Sequence, residues 1–377
     1  MENLKSEEFK NLTLRVFGAV KDGAVISVLS DVPDNIDDDD DKWLEQRQMA
    51  SEWIPVLREA FPKATVDFVQ YRSVGRNNGN LPTRCAVNVN TSDIWRDEFN
   101  NNDFSKVLER SDIIYAPTRY STTAPLKSSA SQYQYRAATM PGFTMAMADA
   151  LRVDYTEVNR RVMLLKNLLD RATGALASFT VAGETWKFHM DLRHRTAHAS
   201  GGILNTGWVA GNLPSGEAYI VPYEGEIEGD PSFTRGYLPV QFGSEVVVYR
   251  IENNTAVDVI SQGPASDTER NAIREEIAYA NISELGLGVL ADFGIKPAGE
   301  ILLDEKLGLH IAFGRSEHFG GTVGPDKFTS PDKVIHIDRV YIPETQPLVK
   351  LNYLVLEMDS GSEITLMENG TYLPNIF

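Results

Sequence analysis

Apolar runs and helical periodicity alternate along the first part of the chain. Ala24–Ser30 is a nearly continuous apolar run, and Thr65–Tyr71 alternates apolar with polar positions, so both predict strands. Trp43–Ala60 lies between them and has apolar residues at helical spacing. A helix over Phe104–Arg110 and a strand over Ser111–Ala116 continue this order. The alternation predicts a parallel α/β domain with right-handed crossovers.

After about residue 170 the pattern becomes that of strands joined by turns. Leu176–Val181 and Thr185–Leu192 predict a hairpin joined at Gly183-Glu184. Helices over Ser266–Tyr279 and Glu300–Gly308 interrupt a series of further strands. The predicted fold class is an α/β N-terminal domain, residues 1–170, plus an α+β, β-rich C-terminal domain, residues 171–377. The further predicted strands are Ala218–Pro222, Glu245–Glu252, Thr255–Ile260, Lys350–Met358 and Glu363–Met367.

Three segments near the predicted junction and upstream of it are less regular. Ser121–Ser131 is rich in Ser, Thr and Ala without a clear period, which predicts a surface loop. Val153–Leu176 has strong helical character. The acidic run Asp37–Asp41 is interpreted as a solvated loop that caps the next helix, where negative charge is favoured.

Charge and cysteine content exclude several classes of function. The net charge of -17 over 377 residues disfavours binding to nucleic acid or to an anionic membrane. Cys85 is the one cysteine, so a disulfide within the chain is impossible and a thiolate metal site is disfavoured. The polar start Met1–Glu8 lacks the apolar core of a secretory signal, so we expect a cytoplasmic protein. The partner we expect is a small-molecule or short-peptide substrate, with no nucleic acid and no membrane.

The predicted α/β domain lacks two common catalytic signatures. No G-x-G-x-x-G follows the first strand, and the chain has no G-x-S-x-G nucleophile elbow. We therefore expect this domain to provide dimer contacts and to roof an active site located elsewhere.

Five side chains of metal-ligand type lie in Gly-containing blocks of the second half. Carboxylates and imidazoles suit zinc, cobalt or manganese, and His336 and Asp338, two apart on a strand, would share a face. Taken singly, each has an ordinary interpretation: a solvated glutamate after a turn, or a hydrogen-bonded histidine beside an apolar run. Their co-occurrence with glycines that permit close backbone approach favours a metal centre. The five residues are Glu217, Glu284, His310, His336 and Asp338.

These blocks together resemble the aminopeptidase T family of metallopeptidases. The resemblance is close over about residues 205–340 and looser upstream. It rests on Gly211–Glu217 (GNLPSGE), Glu284–Gly288 (ELGLG), Asp304–Gly314 (DEKLGLHIAFG) and His336–Asp338 (HID).

The resemblance implies a two-metal peptidase. It identifies the five residues as ligands of two divalent ions, zinc, cobalt or manganese, with a bridging carboxylate. It also implies that metal-activated water attacks the amide bond of a small substrate, and that the protein is a homodimer.

One position departs from the family pattern. The family has a catalytic tyrosine seven residues after the first of these histidines, where this chain has Glu317. Glu317 and His318 are the candidate catalytic residues, since both titrate usefully in a tuned site. The alternative is a surface ion pair of Glu317 with Arg315, and a loop position for His318.

A second branch of the same superfamily provides the alternative function. The 2,5-dihydroxypyridine ring-cleaving dioxygenases hold one Fe(II), keep the His-x-Asp pair and replace the other carboxylates and the first histidine. This chain keeps Glu217, Glu284 and His310, which favours the hydrolytic centre. The alternative is an Fe(II) dioxygenase acting on a small polar aromatic.

A separate group of histidines lies at His189, His194 and His198. We interpret them as surface or substrate-pocket residues, because the segment reads as a strand running into a loop. Arg193 and Arg195 beside them can meet a substrate carboxylate or pair with nearby acids.

Overall fold

The structure, a computed structural model, describes residues 3–96, 99 and 101–377. Its helices are α1 Ser6–Phe17, α2 Asp41–Ala60, α3 Phe104–Arg110, α4 Thr123–Tyr133, α5 Tyr155–Leu169, α6 Pro264–Glu275 and α7 Ile301–Asp304. Its strands are β1 Val25–Val32, β2 Thr65–Arg72, β3 Arg84–Val87, β4 Asn102–Asp103, β5 Ile113–Ala116, β6 Arg136–Thr139, β7 Ala172–Val181, β8 Glu184–Asp191, β9 His198–Ser200, β10 Val209–Asn212, β11 Glu217–Ile220, β12 Arg235–Phe242, β13 Glu245–Glu252, β14 Thr255–Val259, β15 Ile282–Gly288, β16 Leu309–Gly314, β17 His336–Val340, β18 Lys350–Met358, β19 Glu363–Glu368 and β20 Thr371–Tyr372. The predicted fold class is confirmed.

The chain divides into two compact units, and the division differs from the one expected at residue 170. Unit 1 comprises Met1–Asn159 and Ser200–Ser215, and unit 2 comprises Arg160–Ala199 and Gly216–Phe377. The later segment joins unit 1 because β10 pairs in parallel with β6. Periodicity along the chain does not reveal such a return, because the pairing is decided by tertiary contacts.

Unit 1 is built on a seven-stranded sheet in the order β10-β6-β5-β1-β2-β3-β4. The strands from β10 to β2 run parallel, whereas β3 and β4 are antiparallel additions. Helices cover both faces, as parallel sheets require. On one face Trp53 of α2 meets Phe9 of α1 and Tyr115 of β5, with centroids 5.1 and 6.4 Å away. The opposite face packs Leu29 and the residues of α3 and α4 into a separate apolar core.

Two local predictions in this region were wrong. The expected surface loop over Ser121–Ser131 is largely helix α4, which buries Leu126 and Ala130, one helical turn apart. The many serines hid this two-residue apolar stripe. The helix predicted over Val153–Leu176 ends at Leu169, because the next residues form β7 between β8 and β18. Strand pairing thus overrides helix propensity there.

The C-terminal end of the acidic run Asp37–Asp41 caps the next helix, as predicted. The carboxylate of Asp40 accepts the backbone N–H of Trp43 at 2.9 Å and caps α2. Arg119 forms a salt bridge with the same carboxylate at 2.6 Å. The run therefore stabilises the start of a helix and holds the loop after β5.

Unit 2 contains an eight-stranded sheet, ordered β14-β13-β12-β8-β7-β18-β19-β20, and a five-stranded sheet, ordered β17-β16-β15-β11-β9. Within the five-stranded sheet, β11, β15, β16 and β17 pair antiparallel, and both β15 and β16 are buried along their whole length. The predicted strands Glu245–Glu252 and Lys350–Met358 are confirmed. Within the described part of the chain, none of the helices combines the length and apolar character needed to cross a membrane.

Candidate metal centre

One face of the five-stranded sheet brings the predicted ligands together. The ladder places Gly286 of β15 opposite His310 of β16, and Ala312 of β16 opposite Asp338 of β17. Residues two apart on a strand share a face, so His336 joins Asp338 there. The side chains that meet on this face come from β11, β15, β16 and β17: Glu217, Glu284, His310, His336 and Asp338.

The glycines of β15 make room for this arrangement. A Cβ at Gly286 would overlap the imidazole of His310, and a Cβ at Gly288 would overlap the backbone of Lys306. Glu284, Gly286 and Gly288 share one face of the strand. The sequence Glu-x-Gly-x-Gly therefore presents one carboxylate and leaves two spaces for neighbouring groups.

Glu284 is the centre of the cluster. Its Oε1 lies 3.3 Å from Nε2 of His310, and its Oε2 lies 3.2 Å from Nε2 of His336. The same nitrogen of His336 is 3.5 Å from Oδ1 of Asp338. One carboxylate thus faces both imidazoles, which is the position of a bridging ligand.

Glu217 lies on the other side of His310 and beside a lysine. Its Oε2 is 3.5 Å from Nε2 of His310, and its Oε1 accepts a hydrogen bond from Nζ of Lys306 at 2.5 Å. The same ammonium group also donates to the carboxylate of Glu305. The sequence pattern indicated no role for Lys306 or Glu305, although both lie in the block Asp304–Gly314, which also contains His310.

Burial and charge shift the ionisation of this network. Burial alone would raise the pKa of Glu284, but hydrogen bonds to His310 and His336 and their charges hold it well below its usual range. Burial would lower the pKa of His310, yet Glu284 and Glu217 raise it to about 9. Burial raises the pKa of Glu305, and the charge of Lys306 offsets only part of that effect. The carboxylates and imidazoles of this cluster thus stabilise one another's charged forms.

The donor set fits divalent ions. Ligand atoms of Glu217, Glu284 and His310 lie within 4.8 Å of one another, as do those of Glu284, His336 and Asp338. Among the described residues, Oε2 of Glu217 has no hydrogen-bond partner although it is buried. Nδ1 of His336 lies 2.8 Å from the carbonyl of Arg315, which leaves Nε2 facing the carboxylates. A backbone partner on the second ring nitrogen is typical of metal-ligating histidine.

The two predicted catalytic residues lie in a short 3-10 helix, Glu317–Phe319, just after β16. Nε of Arg315 donates to Glu317 at 2.7 Å, so the alternative ion pair is present in the structure. The ring of His318 lies 5.4 Å from the ring of His336, centroid to centroid. Desolvation by neighbouring groups, together with the charge of His336, lowers the pKa of His318 to about 4, although 32% of its side chain is exposed. His318 therefore borders the candidate ligand His336, whereas Glu317 is held by Arg315.

A group of rings, which we call the ring wall, lies beside the ligands and was not predicted as a unit. It consists of His198, Tyr219 and Phe319. Tyr219 stacks on His198 at 5.2 Å and meets the edge of Phe319 at 4.8 Å. Phe319 in turn lies 5.5 Å from the ring of His336. The signal in the sequence was the spacing of Tyr219, two residues after Glu217 on the same strand face.

The three histidines of the separate group do not converge. His189 contacts Glu357 at 3.1 Å, and His194 contacts Asp230 at 3.0 Å. Nε2 of His198 lies 2.9 Å from the carbonyl of Phe319 and so belongs to the ring wall. The neighbouring arginines pair with acids: Arg193 with Asp191 and Asp230, and Arg195 with Glu226 and Glu224.

Comparisons with known proteins establish the fold. No protein-family model matches the chain, and no curated protein matches its sequence. A 2,5-dihydroxypyridine dioxygenase from Pseudomonas putida is similar in structure, with a TM-score of 0.59 and 14% identity, over 98% of this chain and 96% of that one. The aminopeptidase T (AmpT) from Thermus thermophilus is also similar, with a TM-score of 0.53 and 14% identity, over 98% of each chain. Both similar proteins are enzymes by name, and the shared feature is the fold.

Proposed function

We propose that this protein is a metal-dependent hydrolase of the aminopeptidase T type, which cleaves an amide or peptide bond of a small substrate. The observation that supports it is the position of Glu284, whose two oxygens each face a different imidazole. Glu284 is common to both groups of candidate ligands, as a carboxylate that bridges two ions must be. Zinc, cobalt and manganese all suit this donor set.

The ligands divide naturally between two ion positions. Glu217, Glu284 and His310 would hold one ion, and Glu284, His336 and Asp338 would hold the other. When bound, a pair of divalent ions supplies an activated water and a polarised carbonyl. The carbonyl of Arg315 orients His336 for this role through Nδ1.

Proton transfer in this proposal falls to His318 rather than to Glu317. The ring of His318 borders that of His336, with centroids 5.4 Å apart, so it lies beside the reacting groups. Both carboxylate oxygens of Glu317 accept hydrogen bonds from Arg315, so this carboxylate is less able to accept a proton from a substrate. His318 thereby takes the place that the family gives to a tyrosine.

The ring wall supports a substrate with an apolar or aromatic side chain. Phe319 and Tyr219 are partly exposed. Phe319 contacts the ring of His336, and Tyr219 lies two residues after Glu217 on the same strand. Planar rings offer a large contact area and favourable edge-to-face packing to another ring. We therefore expect a preference for substrates whose first residue is large and apolar.

One observation favours the alternative, an Fe(II) ring-cleaving dioxygenase. His336 and Asp338 form the histidine–carboxylate pair that the ring-cleaving dioxygenases keep, and Nε2 of His336 lies 3.5 Å from Oδ1 of Asp338. Histidine and carboxylate ligands are typical of non-haem iron oxygenases. In that case the ring wall would stack on a small polar aromatic substrate.

Metal analysis and two assays separate these functions. The hydrolase is supported if the protein holds zinc, cobalt or manganese and cleaves aminoacyl anilides. The dioxygenase is supported if it holds a single ferrous ion and consumes O₂ with a dihydroxypyridine. Glu284→Gln should abolish either activity, whereas the control Glu357→Gln, whose carboxylate pairs with His189, should retain it. Homodimer formation and a cytoplasmic location stay predictions.

A further inference from the structure

We propose that Lys306 makes the two ion positions unequal. The position formed by Glu284, His336 and Asp338, here the outer position, binds a divalent ion more tightly than the inner position. The inner position is the one formed by Glu217, Glu284 and His310. This inference rests on the two-ion centre of the proposed function and specifies how its ions are held.

The carboxylate of Glu217 is shared with a cation that belongs to the protein. Nζ of Lys306 lies 2.5 Å from Oε1 of Glu217, while Oε2 faces Nε2 of His310 at 3.5 Å. For an ion at the inner position, one oxygen of Glu217 would be available without displacing the ammonium group of Lys306. The positive charge of Lys306 would oppose the binding of that second positive charge.

The side chain of Lys306 is enclosed by the protein beside Glu217. Its side chain is 1% exposed, and its backbone fills the space left by Gly288. Glu217 lies opposite Gly288 in the β11–β15 ladder, so the register brings the carboxylate to the lysine. The contact is thus part of the fold. In a site from which water is excluded, such a charge acts more strongly than it does at the surface.

Among the described residues, the ion pairs of Glu284, His336 and Asp338 at the outer position involve no lysine or arginine. In the part of the chain that the structure describes, the ion pairs of His336 are with Glu284 and Asp338, at 3.2 and 3.5 Å. Its Nδ1 is fixed on the carbonyl of Arg315 at 2.8 Å. The carboxylates of Glu284 and Asp338 therefore converge on the imidazole of His336, whose other ring nitrogen is fixed by a backbone carbonyl. Among the described contacts, this position lacks an ammonium group.

Glu305 distinguishes a charge effect from simple crowding. Its carboxyl group also accepts a hydrogen bond from Lys306, so Glu305→Gln changes the surroundings of the lysine without removing the lysine charge. Removing the lysine charge should strengthen the inner position. Glu305→Gln keeps that charge, so the inner position should stay the weaker of the two.

Calorimetric titration of metal-free protein with Zn²⁺ tests the proposal directly. We expect two binding steps whose dissociation constants differ by at least about tenfold, a separation that calorimetry resolves. Asp338→Asn should remove the tighter step and Glu217→Gln the weaker one. A single step of one ion that Asp338→Asn removes and Glu217→Gln spares also supports the inference, with the inner position too weak to detect.

The lysine variants complete the test. Lys306→Met should bring the two steps together, whereas Lys306→Arg and Glu305→Gln should keep them apart, with circular dichroism and melting curves confirming the fold of each. If Lys306→Met does not fold, the wild-type, Asp338→Asn and Glu217→Gln titrations decide. Two equal sites in the wild-type protein, or loss of the tighter step in Glu217→Gln, would overturn the inference and leave the hydrolase standing. No binding of Zn²⁺ would overturn both.

Discussion

The imidazole of His310 lies over Gly286, its partner across the β15–β16 ladder, in the space that a side chain at position 286 would fill. This relationship turns the Nε2 of His310 towards Glu284 at 3.3 Å. It also explains the spacing of the Glu-Leu-Gly-Leu-Gly motif, because the carboxylate and the first glycine must share one strand face.

Gly286→Ala should displace His310 and weaken metal binding. The added methyl group overlaps a ring that is fully buried, and such overpacking costs about 1–3 kcal/mol. Bound metal per chain and the free energy of unfolding in urea measure the two effects. Gly308→Ala is the control, since its Cβ would meet only the methyl Cγ2 of Ile342 at 3.0 Å. Full metal content in Gly286→Ala would contradict the proposed packing role.

Glu284→Gln should lose metal more severely than any other single ligand change. The carboxylate faces both imidazoles, so its loss affects both ion positions at once. Changes to outer partners alone alter metal affinity by about 10–100-fold, so we expect at least about a hundredfold here. Competition with a chelator measures the affinity. Equal losses in Glu284→Gln and Glu217→Gln would mean that Glu284 does not bridge.

Phe319→Leu should weaken binding of substrates that carry an aromatic first residue. An aromatic contact is worth about 0.5–1.5 kcal/mol, so the KM for a phenylalanyl anilide should rise about two- to tenfold with little change in kcat. A leucyl anilide should respond less. The control is Tyr237→Leu, which breaks a ring pair with Trp186 at 5.4 Å in the eight-stranded sheet rather than in the sheet that carries the candidate ligands. An equal response in both variants would remove the ring wall from substrate binding.

Asp31 should make unit 1 less stable as the pH rises. Burial raises the pKa of this carboxyl well above its ordinary value, to about 7, although hydrogen bonds from the backbone of Arg119 and Tyr120 act to lower it. The folded state therefore holds the proton more tightly, and its contribution is lost as the pH rises through about 7. Between pH 5.5 and 8 the wild-type protein should lose about 2 kcal/mol of stability relative to Asp31→Asn.

Urea unfolding of both proteins at the two pH values measures this difference by tryptophan fluorescence, since Trp53 lies in the core of unit 1. The asparagine itself has a cost, because it cannot accept both backbone N–H groups, but that cost is the same at each pH. A stability gap that does not change between pH 5.5 and 8 would show that Asp31 is ionised throughout.

Regular periodicity predicted many of the elements, and irregular composition hid others. A helix was predicted near Phe104–Arg110, and the structure has α3 there. Helix α4 was missed, because its core contacts are only Leu126 and Ala130 among serines and alanines. The end of α5 was misplaced because β7 gains its stability from two neighbouring strands rather than from local propensity.

The candidate site also combines residues that the sequence indicated with residues that only the structure revealed. Glu284 and Gly286 share a strand face by their spacing, whereas His310 was joined to them by the co-occurrence of ligand-type residues and by the family resemblance. Lys306 and Phe319 were not recognisable, because nothing local distinguishes a buried lysine from a solvated one, or a ring beside a metal ligand from a core ring. Their positions depend on the register of β11 with β15 and on the 3-10 helix after β16.

The sequence by itself determined the chemistry available to this protein: three carboxylates and two imidazoles at predicted strand positions, with glutamate where the aminopeptidase T family, which the chain resembles, has a tyrosine. It did so because ligand type and strand alternation are local properties. Only the tertiary structure decided which groups meet: Glu284 between His310 and His336, Lys306 against Glu217, and the rings of Tyr219 and Phe319 beside them. The physical reason is that strand register and the spaces above glycines couple residues tens of positions apart, which no local pattern encodes.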